Sequence, residues 1–343
     1  MDRISRLERF ETAAAKRILI LDGAMGTMIQ TWKLTEEDFR GQRFADWKVP
    51  LKGNNDLLNL SRPDVIAAIH DQYIEAGADF VETNTFSSTS VAMADYRMEA
   101  LADEIAAEGA RIAREVADKA EQRLGRPVGV LGAIGPMNKS LSLSPKMSDP
   151  GYRDISFDEV RDAYYAQAKA MAPHIDTLNA KAAIKALLDL RARENVNLPV
   201  ILSGTITDAS GRTLSGQTAE AFWNSVRHAR PWAIGLNCAL GADLMRPHIA
   251  AIARVADTRI IAYPNAGLPN AFGEYDETPE STGGHLGEWS RSGLVNIVGG
   301  CCGTTPDHIA AIAKAAAKAA PRRIPQVAPA LRLSGLEPFE VAP

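Results

Sequence analysis

A chain of 343 residues, 46% hydrophobic and 23% charged, is long enough for one large domain or two small ones and can bury a full core. Its formal net charge of −4 offers no concentrated basic surface, so we expect no nucleic-acid partner. No apolar run is long enough to span a bilayer, and the charged N-terminus, MDRISRLERFETAAAKR, lacks the apolar stretch of a secretory signal. We therefore expect a cytoplasmic protein with no membrane partner. Three cysteines suit a metal site or free thiols better than a disulfide framework.

Short apolar runs repeatedly precede a loop rich in glycine, asparagine or threonine, and an amphipathic helix follows each loop. Continuous β-branched runs of this kind are typical of strands covered on both faces, as in a parallel sheet. In chain order the runs are Ile18–Leu21 before DGAMGT, Phe80–Val81 before ETNTFSS, Val128–Leu131 before GAIGP, Val200–Leu202 before SGTITD, Ala233–Leu236 before NCALG, Ile260–Ala262 before YPNAG, and Val295–Val298 before GGCCG.

Helix start signals separate these runs. Capping-box or N1-proline spacing occurs at Ser61 with Asp64, at Ser156 with Glu159, and at Thr305 with Pro306. After the last predicted helix the chain is rich in proline. We therefore predict a folded domain over residues 1–320 and an extended C-terminal tail or linker over residues 321–343.

Regular alternation of strand, loop and helix over this length favours a (β/α)8 barrel of the TIM type over a doubly wound sheet. The first loop, from Gly23 to Thr27, has the wrong spacing for a dinucleotide-binding G-x-G-x-x-G. Only seven strands are convincing, because the helix after Ser156 and a helix predicted near Thr177 leave only Pro173–Asp176 between them. The fourth strand is therefore predicted to be missing or abbreviated.

All three cysteines come directly after predicted strands, Cys238 in GLNCALG and Cys301 with Cys302 in VGGCCGTT. In a barrel, the sixth and eighth strands would bring them to the same rim. Three sulfurs there can form three corners of a tetrahedron around zinc and leave the fourth open, as in catalytic zinc sites. The competing interpretation is three inert, buried thiols, because this spacing is not a recognised local zinc signature.

A site with three sulfur ligands suits a thiol substrate. A free thiol has a pKa of about 8.5 and is mostly protonated near neutrality, whereas a metal-bound thiol is deprotonated. Three thiolate ligands make the site anionic, so a fourth sulfur stays electron-rich and able to attack. Imidazole ligands would leave zinc better suited to activating water. The donor set therefore favours sulfur alkylation over hydrolysis.

Long segments of the chain resemble a known family. GLNCALG and NIVGGCCGTTPDHI, together with LDGAMGTMIQ, NNDLLNLSRPDVI, GADFVETNTFSS, LSGTITDASGRTLSGQT, PNAGLPNAFGEYD and RLSGLEP, closely resemble the homocysteine-binding module of cobalamin-dependent methionine synthases, in the homocysteine S-methyltransferase family. The resemblance runs from about Arg17 to Pro338. TDASGRTLSGQT and NAFGEYD are more similar to the cobalamin-dependent branch than to branches that use betaine or S-methylmethionine.

The resemblance implies that Cys238, Cys301 and Cys302 bind Zn²⁺, which activates the thiol of homocysteine for methylation to methionine. It also implies a pocket for the amino-acid end of homocysteine, lined by Asp22, Gly23, Glu82, Asn84 and Thr85. No segment carries a D-x-H-x-x-G cobalamin motif, so methylcobalamin is expected on a cobalamin-binding partner protein or domain. Two alternatives remain open: a homocysteine methyltransferase that uses S-methylmethionine or betaine, and a non-catalytic zinc- or thiol-binding barrel.

Other roles compete for several of these positions. Asp22 and Gly23 could form only a turn, and Glu82 could make a structural hydrogen bond at the rim. The loop with Asn265, Asn270 and Glu274 either shapes the side of the pocket that faces the methyl donor or makes only the hydrogen bonds of a turn. The six histidines, including His308, are expected to be surface or helix-cap residues and not metal ligands.

The family has an acidic residue at the end of the fourth strand that helps to hold the substrate amino group. The chain offers no clear counterpart, and Asp176 is the nearest candidate. The apparent absence of the fourth strand motivates the non-catalytic alternative.

Overall fold

The computed structural model describes residues 1–141, 144–180, 183–207 and 210–341, with the backbone only for residues 178–180. Within these ranges, no helix is both long and apolar enough to span a membrane.

Eight parallel strands form one sheet whose neighbours follow chain order from β2 to β8, with β1 beside β8. The strands are β1 (Leu19–Ile20), β2 (Phe80–Glu82), β3 (Gly129–Ile134), β4 (Thr177–Ala180), β5 (Val200–Gly204), β6 (Ala233–Gly241), β7 (Arg259–Asn265) and β8 (Ile297–Val298). Every pairing in the sheet is parallel. All seven strands predicted from the apolar runs are present.

The sheet closes on itself between β1 and β2. A parallel bridge joins Leu21 to Phe80, the Asp79 N–H donates to the Ile20 carbonyl at 2.7 Å, and the Asp22 N–H donates to the Phe80 carbonyl at 3.0 Å. The predicted (β/α)8 architecture is therefore confirmed.

Helices surround this barrel along its outside and at one end. They are α1 (Arg3–Ala14), α2 (Met25–Thr31), α3 (Glu36–Arg40), α4 (Leu58–Ser61), α5 (Pro63–Glu75), α6 (Ser90–Met93), α7 (Ala102–Leu124), α8 (Phe157–Met171), α9 (Ile184–Glu194), α10 (Ala219–Val226), α11 (Ala242–Val255), α12 (Pro279–Arg291) and α13 (Pro306–Ala316).

Alternation along the strands sorts their side chains between two cores. On β1, Leu19 points into the barrel interior, whereas Ile20 packs in the layer between the strands and the helices. Phe10 of α1 joins the interior cluster, and its ring centroid lies 4.4 Å from that of Phe80. Helix α1 therefore packs against the end of the barrel where the strands begin. The opposite end, with the longer loops, is left for chemistry.

The fourth strand is short but present, which corrects the prediction of a helix near Thr177. β4 pairs in parallel with β3 on one side and β5 on the other. The following helix begins only at Ile184. Four residues are enough for a strand here because β3 and β5 supply its hydrogen-bond partners on both sides. These partners are distant in sequence, so the local pattern does not reveal the strand.

Two of the three predicted helix starts are confirmed. Ser156 and Glu159 form a capping box at α8, and Thr305 caps α13 together with the His308 side chain. The start at Ser61 is wrong, because that residue ends α4 and the N-cap of α5 is Arg62, with no side-chain capping bond.

The C-terminal segment contains a structured element that the sequence did not predict. β9 (Leu331–Ser334) and β10 (Pro338–Val341) form an antiparallel hairpin. The hairpin packs against α10: the Ser334 hydroxyl donates to the Ala221 carbonyl at 2.6 Å. The division into a domain over residues 1–320 and a tail over 321–343 stays a prediction.

Candidate metal centre

The three cysteines converge at the end of the barrel where the strands finish. Their sulfur atoms all lie within 4.8 Å of one another, and the Cys238 and Cys302 sulfurs are 3.8 Å apart. All three are free thiols with partly exposed side chains. The predicted meeting of β6 and β8 at one rim is therefore observed.

An interruption in β6 brings Cys238 to this position. Asn237 pairs with Tyr263 of β7, whereas Gly241 already pairs with Asn265, so three residues of β6 face one of β7. Cys238 and Ala239 both have positive φ, 57° and 51°. Left-handed backbone at two consecutive non-glycine residues costs about 1–2 kcal/mol each, and such strain is characteristic of functional sites.

The loop after β8 holds the other two cysteines through backbone hydrogen bonds. The Cys301 N–H donates to the Pro264 carbonyl at 2.8 Å, and the Cys302 carbonyl accepts from the Ala266 N–H at 2.9 Å. Gly303 has φ of 82°, and a Cβ there would lie 2.3 Å from the Cβ of Tyr275. Glycine is therefore required for the chain to turn beneath this tyrosine.

The donor set fits a tetrahedral metal ion. Two sulfurs bound to zinc at about 2.3 Å and at the tetrahedral angle are about 3.8 Å apart, which is the separation of the Cys238 and Cys302 sulfurs. A disulfide would need about 2.05 Å.

A buried oxygen supports the same interpretation. Asn265 lies between Pro264 and Ala266, which both hydrogen-bond to the cysteine loop. Its side chain is buried, and its Oδ1 has no hydrogen-bond partner in the described part of the chain. A bound cation or its ligand would satisfy this acceptor. The sequence did not decide whether Asn265 faces the methyl donor or only stabilises a turn. An acceptor atom without a hydrogen-bond partner can be recognised only in the folded structure.

Clustering makes the thiols hold their protons when no cation is present. Hydrogen bonding with Cys238 and Cys302, followed by burial, raises the pKa of Cys301 well above its usual value. The pKa of Cys302 is raised too, chiefly by hydrogen bonding with Cys238. Three adjacent thiolates therefore require a positive partner, which a divalent metal ion supplies.

Tyr275 is a site residue that sequence reasoning missed. Its ring lies against Gly303, and burial, followed by the charge of Cys302, raises its pKa to about 12. The only sequence signal was its place in the NAFGEYD segment.

In the same segment, Asn270 accepts from the Phe272 and Glu274 N–H groups and so makes a turn. The turn alternative therefore holds for Asn270.

Asp22 and Glu82 lie together beside the cysteine loop. The Asp22 Oδ2 accepts from the Glu82 N–H at 3.0 Å, and the Asp22 carbonyl accepts from the Gly300 N–H at 3.1 Å. The Asp22 Oδ1 is buried and unpartnered in the described structure. Burial, followed by the charge of Glu82, raises the pKa of Asp22 well above its usual value. At Gly23, a Cβ would lie 2.8 Å from both Thr304 and Tyr73, so no larger residue fits.

Asn84 and Thr85 are buried in the wall below this rim. The Asn84 side-chain amide donates to the Asn55 carbonyl and to the Asn59 Oδ1, and the Thr85 hydroxyl donates to the Ala133 carbonyl at 2.9 Å. Their described contacts are structural, and contact with a substrate stays a prediction.

Asp176 lies at the opposite end of the barrel, which corrects its candidacy as the missing substrate carboxylate. It precedes β4, and its carboxylate accepts from the Arg6 Nε at 2.8 Å and from the Arg114 guanidinium at 2.9 Å. With side chains from α1 and α7 holding it in place, Asp176 ties the helices to the start of the sheet.

The closed (β/α)8 barrel with three cysteine sulfurs at its catalytic rim defines a metal-site barrel suited to thiol chemistry. The family model described as homocysteine S-methyltransferase matches residues 19–316. The chain therefore belongs to the homocysteine S-methyltransferase family, and it is a methyltransferase.

Solved structures agree with this fold. The homocysteine methyltransferase MmuM from Escherichia coli, in its metallated form, is similar with a TM-score of 0.68 and 19% identity, over 90% of this chain and 98% of that one. Its oxidized form gives a TM-score of 0.66 and 20% identity, over 92% and 99% of the two chains. At these identities the likeness establishes the shared fold.

Proposed function

We propose that this protein methylates homocysteine to methionine with zinc held by Cys238, Cys301 and Cys302, and that methylcobalamin on a separate protein donates the methyl group. The observation that carries the proposal is the convergence of three sulfurs within 4.8 Å at the end of the barrel where the strands finish. Zinc bound by three thiolates would keep a substrate thiol deprotonated and electron-rich. A reducing compartment such as the cytoplasm suits a site built from reduced thiols.

Asp22 and Glu82 would bind the ammonium group of the substrate. The Asp22 Oδ1 is a buried acceptor with no partner in the described structure, and burial, followed by the charge of Glu82, makes ionisation of Asp22 unfavourable. A bound ammonium group would donate a hydrogen bond to the unpartnered oxygen. Its positive charge would also offset the repulsion between the two carboxylates. This pair would take over the task of the family's acidic residue at the end of the fourth strand, since β4 ends in Thr177–Ala180 with no carboxylate.

The surface around the site suits a donor carried by a protein. Large apolar side chains are exposed on the loops that follow β3, β5 and β7, namely Met147, Leu214, Leu268 and Phe272. These loops lie on the same side of the barrel as the cysteines. Exposed apolar side chains on this side of the barrel favour an interaction surface, and a corrinoid-carrying protein would cover them. With zinc held by Cys238, Cys301 and Cys302, the substrate sulfur would be deprotonated and its lone pair could take the methyl group in line, while the partner's corrinoid would serve as methyl donor and would keep the electron pair of the bond that breaks.

Replacement of one cysteine tests the proposal. Cys301→Ala should lose stoichiometric zinc and should lose at least about 100-fold in methionine formation from homocysteine and methylcobalamin, because the remaining two sulfurs no longer define a tetrahedral site. Zinc content is measured by atomic absorption and methionine by chromatography. Ser292→Ala is the control, since that hydroxyl hydrogen-bonds, among the described residues, to Glu288 alone at the end of α12. Undiminished activity in Cys301→Ala would refute the proposal.

The same assay separates the alternatives. Turnover with S-methylmethionine or betaine but none with methylcobalamin would identify a methyltransferase that uses a small donor. Stoichiometric zinc without homocysteine binding, measured by calorimetry, would identify a non-catalytic barrel.

A further inference from the structure

A second cavity lies at the end of the barrel opposite the cysteines. Its volume is about 630 Å³, and it is formed where α11 and α12 end and where the chain leaves α13. The Arg322 N–H donates to the Val295 carbonyl at 3.0 Å, which joins its wall to the start of β8. The metal site follows the strand ends, so this cavity is separate from the proposed methyl-transfer chemistry.

The charged side chains that line this cavity are all cationic. They are Arg254, Arg291, Lys318, Arg322 and Arg323, and no carboxylate lines the cavity. This is unexpected in a chain of net charge −4, in which acidic residues outnumber basic ones by 42 to 38.

Helix ends account for part of this charge. A helix C-terminus carries about −0.5 elementary charge, so the ends of α11, α12 and α13 offset about 1.5 of the five positive charges. The Arg254 guanidinium also lies 3.3 Å from the Glu220 carboxylate, which offsets about one more. The Glu288 carboxylate, which pairs with Arg246, also attracts Arg291 and offsets part of its charge. About two positive charges therefore remain unbalanced, which is more than the helix ends require.

The individual contacts show which cations are available to a ligand. Arg322 is buried and donates to the carbonyls of Ala253, Ala256 and Thr258, so it forms the floor of the cavity. Arg291, Lys318 and Arg323 are exposed, and none forms an ion pair or side-chain hydrogen bond within the described ranges. Three exposed cations in the same cavity as a buried guanidinium can together bind an anion.

We propose that this cavity binds a small phosphorylated metabolite whose phosphate groups carry two or three negative charges. The unbalanced charge matches a diphosphate or a phosphate monoester. The volume lies in the range of small-molecule sites, about 300–1,000 Å³, and leaves room for an organic group beside the phosphate. Ala250, Leu294 and Pro325 provide apolar surface for that group.

Titration calorimetry with inorganic pyrophosphate tests the proposal on the full chain. We expect saturable binding to one site that weakens as salt is raised, because the attraction is between exposed charges. The triple variant Arg291→Ala, Lys318→Ala, Arg323→Ala should raise the Kd at least about tenfold. Arg322 is left unchanged because its backbone hydrogen bonds support the fold.

The control variant removes the same number of charges elsewhere, through Lys48→Ala, Lys52→Ala and Lys314→Ala, which are exposed and do not line the cavity. It should keep the Kd within about twofold. No saturable binding, or equal weakening in both triple variants, would overturn the proposal. Retention on vesicles of anionic phospholipid without pyrophosphate binding would also overturn it in favour of a lipid headgroup. Methyl transfer should be unchanged in the cavity variant, so this test is independent of the proposed function.

Discussion

At the rim, we expect two carboxylates to determine which substrate the pocket accepts. The Asp22 Oδ1, which has no partner among the described residues, and the adjacent Glu82 would make a site for a positive group. Asp22→Asn should raise the KM for homocysteine about 10-fold or more, because an amide neither carries charge nor pairs as strongly with an ammonium. For 4-mercaptobutanoate, which has the thiol but no amino group, the same substitution should leave the KM nearly unchanged. Equal effects on the two thiols, or a loss of zinc, would contradict ammonium binding at Asp22.

Another buried carboxylate makes the stability depend on pH. Asp56 accepts from the Ser87 N–H at 2.7 Å and from the Ser88 hydroxyl at 2.8 Å, and burial raises its pKa to about 6. The unfolded value is about 3.9, so the stability that this group contributes is present below about pH 4 and is lost as the pH rises through about 6. A difference of two pKa units corresponds to about 3 kcal/mol.

Asp56→Asn should therefore raise the free energy of unfolding by up to about 3 kcal/mol near pH 7 and by much less near pH 4. The neutral amide oxygen can still accept both hydrogen bonds but needs no solvation of a charge. Urea unfolding of both proteins at several pH values measures the difference. A variant that is less stable than the parent at neutral pH would contradict the assignment.

Among the elements, the C-terminal hairpin holds the loop between β5 and α10. The Arg212 guanidinium pairs with the Glu337 carboxylate, the Thr218 N–H donates to the Leu336 carbonyl at 3.0 Å, and the Gln217 side chain donates to the Ser334 hydroxyl at 3.0 Å. This loop follows a barrel strand and so lies on the side of the cysteines. The hairpin therefore restrains one wall of the rim.

Removal of the hairpin, by ending the chain at Ala330, should make the loop between β5 and α10 sensitive to protease while leaving the barrel folded. Cleavage after Arg212 is expected, because that residue loses its partner Glu337. Limited trypsin digestion followed by mass spectrometry identifies the cleavage site. Arg212→Lys in the full chain is the control, because it removes the guanidinium pairing with Glu337 but keeps the hairpin. A truncated protein that resists cleavage as well as the full chain would rule out the restraint.

For the whole molecule, metal binding should be linked to folding. The cysteines come from β6 and from the loop after β8, and that loop also bonds to β7 and to the loop after β1. An ion bound only in the folded state stabilises it by about 2.7 kcal/mol when its free concentration is 100 times the Kd. Stripping with a chelator should therefore lower the Tm by several degrees, and added zinc should restore it. An identical Tm with and without metal would contradict a site that joins these strands.

The sequence by itself determined the alternation of strands and helices, because apolar runs and glycine-rich loops are local patterns that each segment carries independently. It also determined the placement of Cys238, Cys301 and Cys302 at one rim, because parallel strands in a closed barrel end on the same side. Capping at Ser156 and Thr305 was readable for the same reason, since the bonds involved span three residues.

Only the tertiary structure decided the features that depend on partners far along the chain. β4 forms from four residues because β3 and β5 flank it, and Asp176 lies at the strand starts because Arg6 and Arg114 bind it there. The same holds for the oxygens of Asp22 and Asn265 that have no partner among the described residues, and for the basic cavity around Arg322, whose walls come from α11, α12 and the segment that follows α13. Burial and hydrogen-bond satisfaction are properties of a packed neighbourhood, and residues distant in sequence meet only when the barrel closes.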